Sequence, residues 1–482
     1  MAKRNGGIIG PANTPTASVA AGVWRLRDAF NSIKNGTWPL VRSVATNSLR
    51  FNSGSSDYLN RTFGTATNRK IFTFSLWVKR STLSVDNGYL IAAGTDASTN
   101  VDEFYFRSGN TLDFSGYESS VTQFQLRTTP LYRDVSAWYH VVVAYDSTQA
   151  TSSNRIKMYV NGSQVTDFAV STYPSQNFEP LFNSATAHTI ARNLASGSRY
   201  QDGYFSEYHF VDGQALTPSS FGASNSSGVW YPIPYQGTWG NNGFYLKFAN
   251  SASLGTDSSG NNNTWTVNNL TSVDQSTDTE LNNFCTWNAV AAPYSAPTLS
   301  EGNLKVTNNA ANWQGAIGTF GVSQGKWYWE ARFDTTTYTY NHGVIDESVN
   351  FSDINPMNQN GYTGFYNYDG GEIRYNGTVT TADYGTFSTN DIIGIALNMD
   401  AKQISFYKNG TILVSNFGLS TTGQTLVFPS TTYYSGGYCS YNFGNPPYSA
   451  NGYTDAAGYG NFSYAVPSGY YALCTANLNT YG

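Results

Sequence analysis

From about residue 41 to residue 445, apolar residues recur at every second position in short runs. In "IFTFSLWV" (71 to 78) Phe72, Phe74, Leu76 and Val78 share one face, and in "KWYWEARF" (326 to 333) Trp327, Trp329, Ala331 and Phe333 do the same. A period of two sends successive side chains to opposite faces of a strand, so each run can bury one side. The runs are separated by Gly/Asn/Ser turns with hardly a helical period among them. That pattern restricts the chain to an all-β architecture of packed antiparallel sheets. At 482 residues the chain exceeds what one hydrophobic core fills, about 250 to 300 residues, so two or three domains are expected.

One local pattern occurs twice. "IGIALNMDAKQISFYKNG" (393 to 410) is an apolar alternation, an acidic turn, a second alternation and Asn-Gly. "WYHVVVAYD…RIKMYVNG" (138 to 162) places Ile156, Met158 and Tyr159 at the same distances before Asn161-Gly162 as Ile404, Phe406 and Tyr407 stand before Asn409-Gly410. Asn-Gly between alternating strands is the strongest short-range hairpin signal. The flanks differ, with a long excursion between Asp146 and Arg155 against the short "MDAKQ", so the repeat reads as one hairpin solution in two different sandwiches.

Charged residues make up 12% of the chain, about half the usual share, and hydroxyl and amide side chains take their place on the surface. A net charge of −5 supplies no basic field for phosphate backbones, so a nucleic-acid partner is not expected. No apolar run is long enough to cross a bilayer and no secretory h-region opens the chain, so neither membrane insertion nor a signal peptide is expected. The three cysteines, Cys285, Cys439 and Cys474, have no disulfide or zinc spacing.

Residues 1 to 40 stand apart. Val23, Leu26, Phe30 and Ile33 fall on one face of a short helix, Gly36 ends it and Pro39 prevents its resumption. The stripe must dock on something; its own domain and a larger assembly are both open. Residues 226 to 300 read as an Asn/Ser/Thr/Gly-rich linker with Trp265, Leu270 and Trp287 as ordered anchors, and 446 to 482 as a Gly/Tyr-rich tail.

Between 41 and 225 the succession "FTFSLWVKR", "WYHVVVAYD", "RIKMYVNG" and "GYFSEYHFVDGQALTPSSF" resembles the laminin G-like, concanavalin A-type lectin jelly roll. Between 301 and 445, "GKWYWEARF", "NDIIGIALNMDAKQISFYKNG" and the closing "NFG" resemble a SPRY domain. The resemblances imply two antiparallel β-sandwiches, the first with a face that often holds carbohydrate. "GVWRLRDAFNSIKNGTWP", "GFYLKFANSASLGTDSSGNNNTWTVNNL" and "VPSGYYALCTANLN" are similar to segments around such domains in virion structural proteins of tailed, particularly marine, bacteriophages.

A hydrolase on a lectin-type jelly roll typically carries carboxylates in an E-x-D-x-x-E arrangement on one strand. Glu103, Glu118, Glu179, Glu207, Glu330, Glu347 and Glu372 all lack that partner, so a non-enzymatic protein is expected. His140, His188, His209 and His342 are isolated in sequence, and His140 reads as a strand residue paired across its sheet. Asp96, Asp102 and Asp146 could line a calcium rim, but aspartate is an ordinary turn residue. No metal and no cofactor is assigned. For ligand contact the segments "TTTYTYNHG" (335 to 343) and "YTGFYNYDGGE" (362 to 372), read as loops at one end of the SPRY-like sandwich, offer Tyr338, Tyr340, Tyr362, Tyr366, Tyr368 and Asp369.

The expectation is a phage virion surface protein, a tail fibre or similar appendage. Residues 1 to 40 would dock on other virion proteins, and the sandwiches would contact host-surface glycans. A homo-oligomer such as a trimer would multiply weak sites into avidity. The particle exterior would be its location after synthesis in the host cytoplasm. Capsid decoration or a tail-associated structural role is the alternative, and glycan depolymerisation a third.

Overall fold

The run 71 to 78 lies inside strand Ile71–Arg80, and the run 326 to 333 is the strand Lys326–Phe333. The computed structural model describes residues 43–83, 88–96, 99–194, 199–291, 295–335, 339–350, 358–367, 371–380, 383–421 and 426–482. Val23, Leu26, Phe30 and Ile33, on which the N-terminal helix was expected, lie outside these residues. Among the described residues the chain is mostly β, as two antiparallel sandwiches with a short C-terminal helix, Thr475–Tyr481.

In the first sandwich, sheet 1 runs Ser163–Gln164, Ile156–Val160, Trp138–Asp146, Ile71–Arg80, Gly203–Asp212, Ser48–Phe51 and Gln275–Ser276, with Phe244–Leu246 also on Gly203–Asp212. Sheet 2 runs Phe168–Thr172, Val121–Thr128, Leu112–Glu118, Val101–Phe106, Gly88–Gly94, Ala187–Ile190, Tyr58–Thr62 and Thr266–Asn268. The inward sets interdigitate as an aromatic core of Phe72, Phe74 and Phe210 from one sheet and Phe104, Phe114 and Phe124 from the other. Each such ring contributes about 1.5–3 kcal/mol on burial.

In the second sandwich, sheet 3 runs Thr298–Ser300, Lys305–Thr307, Tyr438–Asn442, Lys326–Phe333, Ile392–Asn398, Gln403–Lys408 and Thr411–Gly418. Sheet 4 runs Trp313–Ile317, Val427–Tyr434, Thr339–Asp346, Tyr362–Tyr366, Glu372–Tyr375 and Thr378–Val379. Trp327, Trp329, Ile395 and Phe406 meet Tyr340, Phe365 and Tyr433 in the core.

Much of the stretch expected as a linker belongs to the sandwiches. Phe244–Leu246 pairs with Gly203–Asp212, Thr266–Asn268 with Tyr58–Thr62, and Gln275–Ser276 with Ser48–Phe51. Trp265 and Leu270 lie in the first core and Trp287 in the second, so the three do act as anchors. Residues 219–238 separate from this body, with strands Gly222–Ser224 and Trp230–Pro232 paired and Phe221 stacked on Tyr235.

The tail is equally ordered. Tyr471–Ala472 adds to Lys326–Phe333 in parallel, and the buried Glu330 carboxylate accepts bonds from Ser463 N (2.9 Å), Tyr464 N (3.0 Å) and Asn442 Nδ2 (2.9 Å). The tail's tyrosines divide, Tyr448 being buried while Tyr453 and Tyr459 are exposed.

The two sandwiches lie in one compact unit and meet through charge taken out of water. Lys79 Nζ donates to Asp278 Oδ2 (2.7 Å), Asn283 Oδ1 (2.7 Å) and Phe284 O (3.0 Å). Arg50 reaches Val273 O (2.7 Å) and Pro446 O (3.3 Å), flanked by Asp274 and Glu301. Tyr204 Oη donates to Gly302 O (2.9 Å). Gly302 has φ 65°, and a Cβ there would stand 2.1 Å from that hydroxyl, so only glycine fits the joint.

Candidate functional site

On sheet 2 the residues that alternate with the core phenylalanines face outward and carry the chemistry. Phe104, Phe114, Phe124 and Leu126 point inward. Their neighbours Glu103, Tyr105, Asp113, Ser115, Tyr117, Gln125 and Arg127 share the opposite face with Tyr89 and Arg107. Four adjacent strands thus bring phenols, carboxylates, an amide and guanidinium groups onto one face, where Tyr89, Glu103, Tyr105, Asp113 and Ser115 are buried.

The groups are coupled. Tyr89 and Tyr105 stack with centroids 4.9 Å apart, and Arg107 Nη1 donates to Tyr105 Oη at 2.6 Å. Asp113, fully buried, accepts from Arg127 Nε (2.8 Å), Gln125 Nε2 (3.0 Å) and Arg107 Nη1 (3.5 Å). Burial pushes the Glu103 carboxyl up to about 7, with the Asp113 charge adding to the rise and Tyr89, Arg199 and Arg107 opposing it. Leu194 packs against Tyr89 and Tyr105, closing one end of the face. At the other end Tyr117, Gln125, Arg127 and Arg107 remain half-buried.

The residues expected to contact ligand fall elsewhere. Tyr338, Tyr368 and Asp369 lie outside the described residues. Tyr340 is on a strand rather than a loop and is fully buried, its ring against Phe333 and Tyr433 and its hydroxyl donating to Thr335 O (2.7 Å). A ring held on both sides by the core offers no face to a sugar. Tyr362 is also fully buried on its strand, and Tyr366 lies beneath the Arg374 guanidinium, 4.3 Å from its ring centroid. Strand pairing brings Tyr366 opposite Asn341, and packing takes Tyr340 to the other side of the same sheet.

The E-x-D-x-x-E pattern runs along a single strand and so does not reach the sheet 2 face. Glu103 acquires its carboxylate neighbour, Asp113, from the next strand, a relation fixed by pairing register and invisible to spacing. A legible signal did exist in the polar and aromatic residues at the non-core positions of "VDEFYF", "LDFSGYE" and "VTQFQLRT".

The remaining candidates have structural surroundings. His140 lies on Trp138–Asp146, bonded to Ser75 Oγ (2.9 Å) and stacked on Trp77, and burial lowers its pKa to about 3. Asp146 accepts from Thr148 N (3.1 Å) and Gln149 Nε2 (2.6 Å), Asp96 from Thr99 N (2.6 Å), and Asp102 from Phe182 N (2.7 Å). Among the described residues no group of three or more His, Cys, Asp or Glu could hold a metal ion. A cleft of 530 Å³ lies between the sandwiches, with Ser81, Leu83 and Asn110 on one wall and Asn288, Leu299 and Ala316 on the other.

Two family descriptions match, one for each sandwich. Residues 53–221 match the concanavalin A-like lectin/glucanases superfamily and residues 326–446 match the SPRY domain. No curated protein matches. Among solved structures, the SPRY domain of human HERC1 is similar at 21% identity over 29% of this chain and 87% of that one, with a TM-score of 0.25. The TRIM65 PSpry domain follows at 15% identity over 33% and 92%, TM-score 0.27. A native heptameric SAP-like pentraxin from Limulus polyphemus is similar at 16% identity over 36% and 80%, TM-score 0.28. The lectin-like and SPRY domains point to a binding function.

Proposed function

We propose that the chain is a non-enzymatic surface protein of a tailed-phage particle that attaches to host-surface glycans, through the lectin-like sandwich in the first instance. The observation that carries the glycan reading is the outer face of sheet 2. The half-buried Tyr117 phenol, the Gln125 amide and the Arg127 and Arg107 guanidinium groups, held by the buried Asp113, suit the C–H faces and hydroxyls of sugars, and they sit on a sheet. The phage context rests on the likeness of the chain's end and middle segments to virion proteins. Residues 1 to 40 would dock on other virion proteins, and a homo-oligomer would give several weak sites useful avidity.

The test is competition. Purified chain is expected to block adsorption of the virion that carries it to host cells, and Tyr117→Ala and Gln125→Ala, both half-buried on the face, are expected to weaken the block at least tenfold. Undiminished adsorption at saturating chain would count against attachment and favour a decorating or tail-associated structural role. A second reading has one observation in its favour: Glu103, held up to about 7 beside Asp113, has the titration of a general acid. Release of reducing ends from host polysaccharide, abolished in Glu103→Gln, would replace attachment with depolymerisation.

A further inference from the structure

The outward face of sheet 4 contains polar groups that nothing satisfies. Asn341 is fully buried, and neither Nδ2 nor Oδ1 has a hydrogen-bond partner. Its neighbour across the ladder, Thr432, is 1% exposed with Oγ1 equally unpartnered, and the buried Tyr362 Oη is a third such group. Arg374 Nε, on the adjoining strand, is a fourth. Buried polar atoms in folded proteins nearly always have partners, and a cluster without them calls for a missing one. Four in one place, on strands whose backbones are fully paired, cannot be assigned to a poorly formed sheet.

The same patch has an aromatic roof. Gly315, Gly343 and Gly364 stand at outward positions on three strands and are covered by the chain itself, by Thr432, the Thr363 backbone and the Tyr362 ring respectively. Trp313 and Tyr366 come within 6.5 Å of each other although strands Val427–Tyr434 and Thr339–Asp346 lie between their own, so their rings reach over Thr432 and Asn341. Tyr434, 5.2 Å from Trp313, is 43% exposed, and Arg374 lies along Tyr366.

We propose that this face of sheet 4 is a second saccharide site, in which Trp313 and Tyr434 stack on a sugar ring while Asn341, Thr432, Tyr362 and Arg374 take its oxygens. The amide, two hydroxyls and a guanidinium N–H donate, and the amide oxygen accepts, which matches groups that both give and receive hydrogen bonds. Entry requires that Trp313 and Tyr366, whose rings reach over Thr432 and Asn341, turn outward, a side-chain movement common at binding surfaces. The ligand class is that of the proposed function, but the site is independent of the sheet 2 face.

The test uses the full chain on immobilised hexose, hexosamine and hexuronate oligosaccharides, with melting temperature measured alongside. Thr432→Val and Tyr362→Phe are near-isosteric and remove only an unsatisfied hydroxyl. Both are expected to raise the melting temperature by about 2–4 °C, and both to weaken saccharide retention at least fivefold. Trp313→Ala is expected to lose retention at least tenfold beyond any loss in Gln125→Ala. A lower melting temperature in both near-isosteric variants would show the hydroxyls to be satisfied and overturn the proposal. So would retention unchanged in Trp313→Ala, which with loss in Gln125→Ala would leave sheet 2 as the sugar site. Retention of the chain on none of the oligosaccharides would overturn both the second site and the glycan reading.

Discussion

The hairpins that close at Asn161-Gly162 and at Asn409-Gly410 form the same corner in two different sandwiches. Asn161 and Gly162 have φ 48° and 80°, and Asn409 and Gly410 have 48° and 78°, the pair of positive values a two-residue primed turn requires. In the first, Asn161 N donates to His140 O (2.8 Å) while Asn161 Oδ1 accepts from His140 N (2.8 Å). In the second, Asn409 N donates to Ile392 O (2.9 Å) while Asn409 Oδ1 accepts from Ile392 N (2.9 Å). The asparagine side chain stands in for a backbone carbonyl and carries the ladder one step past the turn. The surroundings diverge: after the first turn only Ser163–Gln164 is paired, while after the second the strand continues to Gly418. A local corner is therefore no evidence of duplication, and the identity of each domain lies in what packs around it.

The largest difference between the sandwiches is how they hold the chain that passes them. The second binds its tail with a carboxylate, Glu330, facing neutral donors, whereas the first meets the segment entering the second through the buried Lys79–Asp278 pair. Burial raises the Asp278 carboxyl above its ordinary value even against the opposing Lys79 charge. Breaking one partner of such a pair costs about 3–5 kcal/mol. Lys79→Ala is expected to lose that much and to split a single calorimetric transition into two, one for each sandwich. A single transition at reduced temperature would show that the remaining junction contacts suffice to couple them.

Two opposed pH effects lie side by side in the first sandwich. Burial lifts Asp102, in the first sandwich, from 3.8 to about 8. A carboxyl raised on folding stabilises fully below its unfolded value, and that contribution is lost as pH rises toward 8. The change is at most about 1.4 kcal/mol per pH unit. His188, on the opposite flank of Gly88–Gly94, is lowered by burial from 6.5 to about 3, so its contribution is present above 6.5 and lost as pH falls. Asp102→Asn keeps an acceptor for Phe182 N. Thermal melts of this variant between pH 4 and 8 are expected to show a shallower alkaline decline, with Glu103 and Glu280 still contributing, and to keep the acid one. An unchanged alkaline decline would put it on another carboxyl, such as Glu103 or Glu280.

Strand positions were legible because alternation is local: "KWYWEARF" became a strand with its predicted boundaries. The Asn/Ser/Thr-rich stretch was not, since its strands are two or three residues long and their partners lie far away in sequence. Asp257 and Asp274 order that stretch by accepting backbone N–H groups of Tyr245, Asn263 and Thr271, bonds that composition cannot reveal. The site residues failed for a related reason. Tyr340, Tyr362 and Tyr366 were recognised as aromatic and near one another, but which side of sheet 4 each would take depends on register against Val427–Tyr434 and Glu372–Tyr375.

The smallest expected effect returns to the two corners. Asn161→Ala places alanine at φ 48° and removes the acceptor of His140 N, together about 2 kcal/mol. Asn409→Ala removes the same two terms and one more, since Asn409 Nδ2 also donates to Asp391 Oδ1 at 2.7 Å, where Asp391 pairs with Lys408. A bond to a charged acceptor that is partly solvent-exposed adds roughly 1 kcal/mol. Denaturant midpoints of the two variants should therefore differ, with Asn409→Ala the more destabilised, and Asp391→Ala should bring the two costs together. Equal costs in the presence of Asp391 would mean that the corner alone sets the energy and that its surroundings, which distinguish the sandwiches in every other respect, do not reach it.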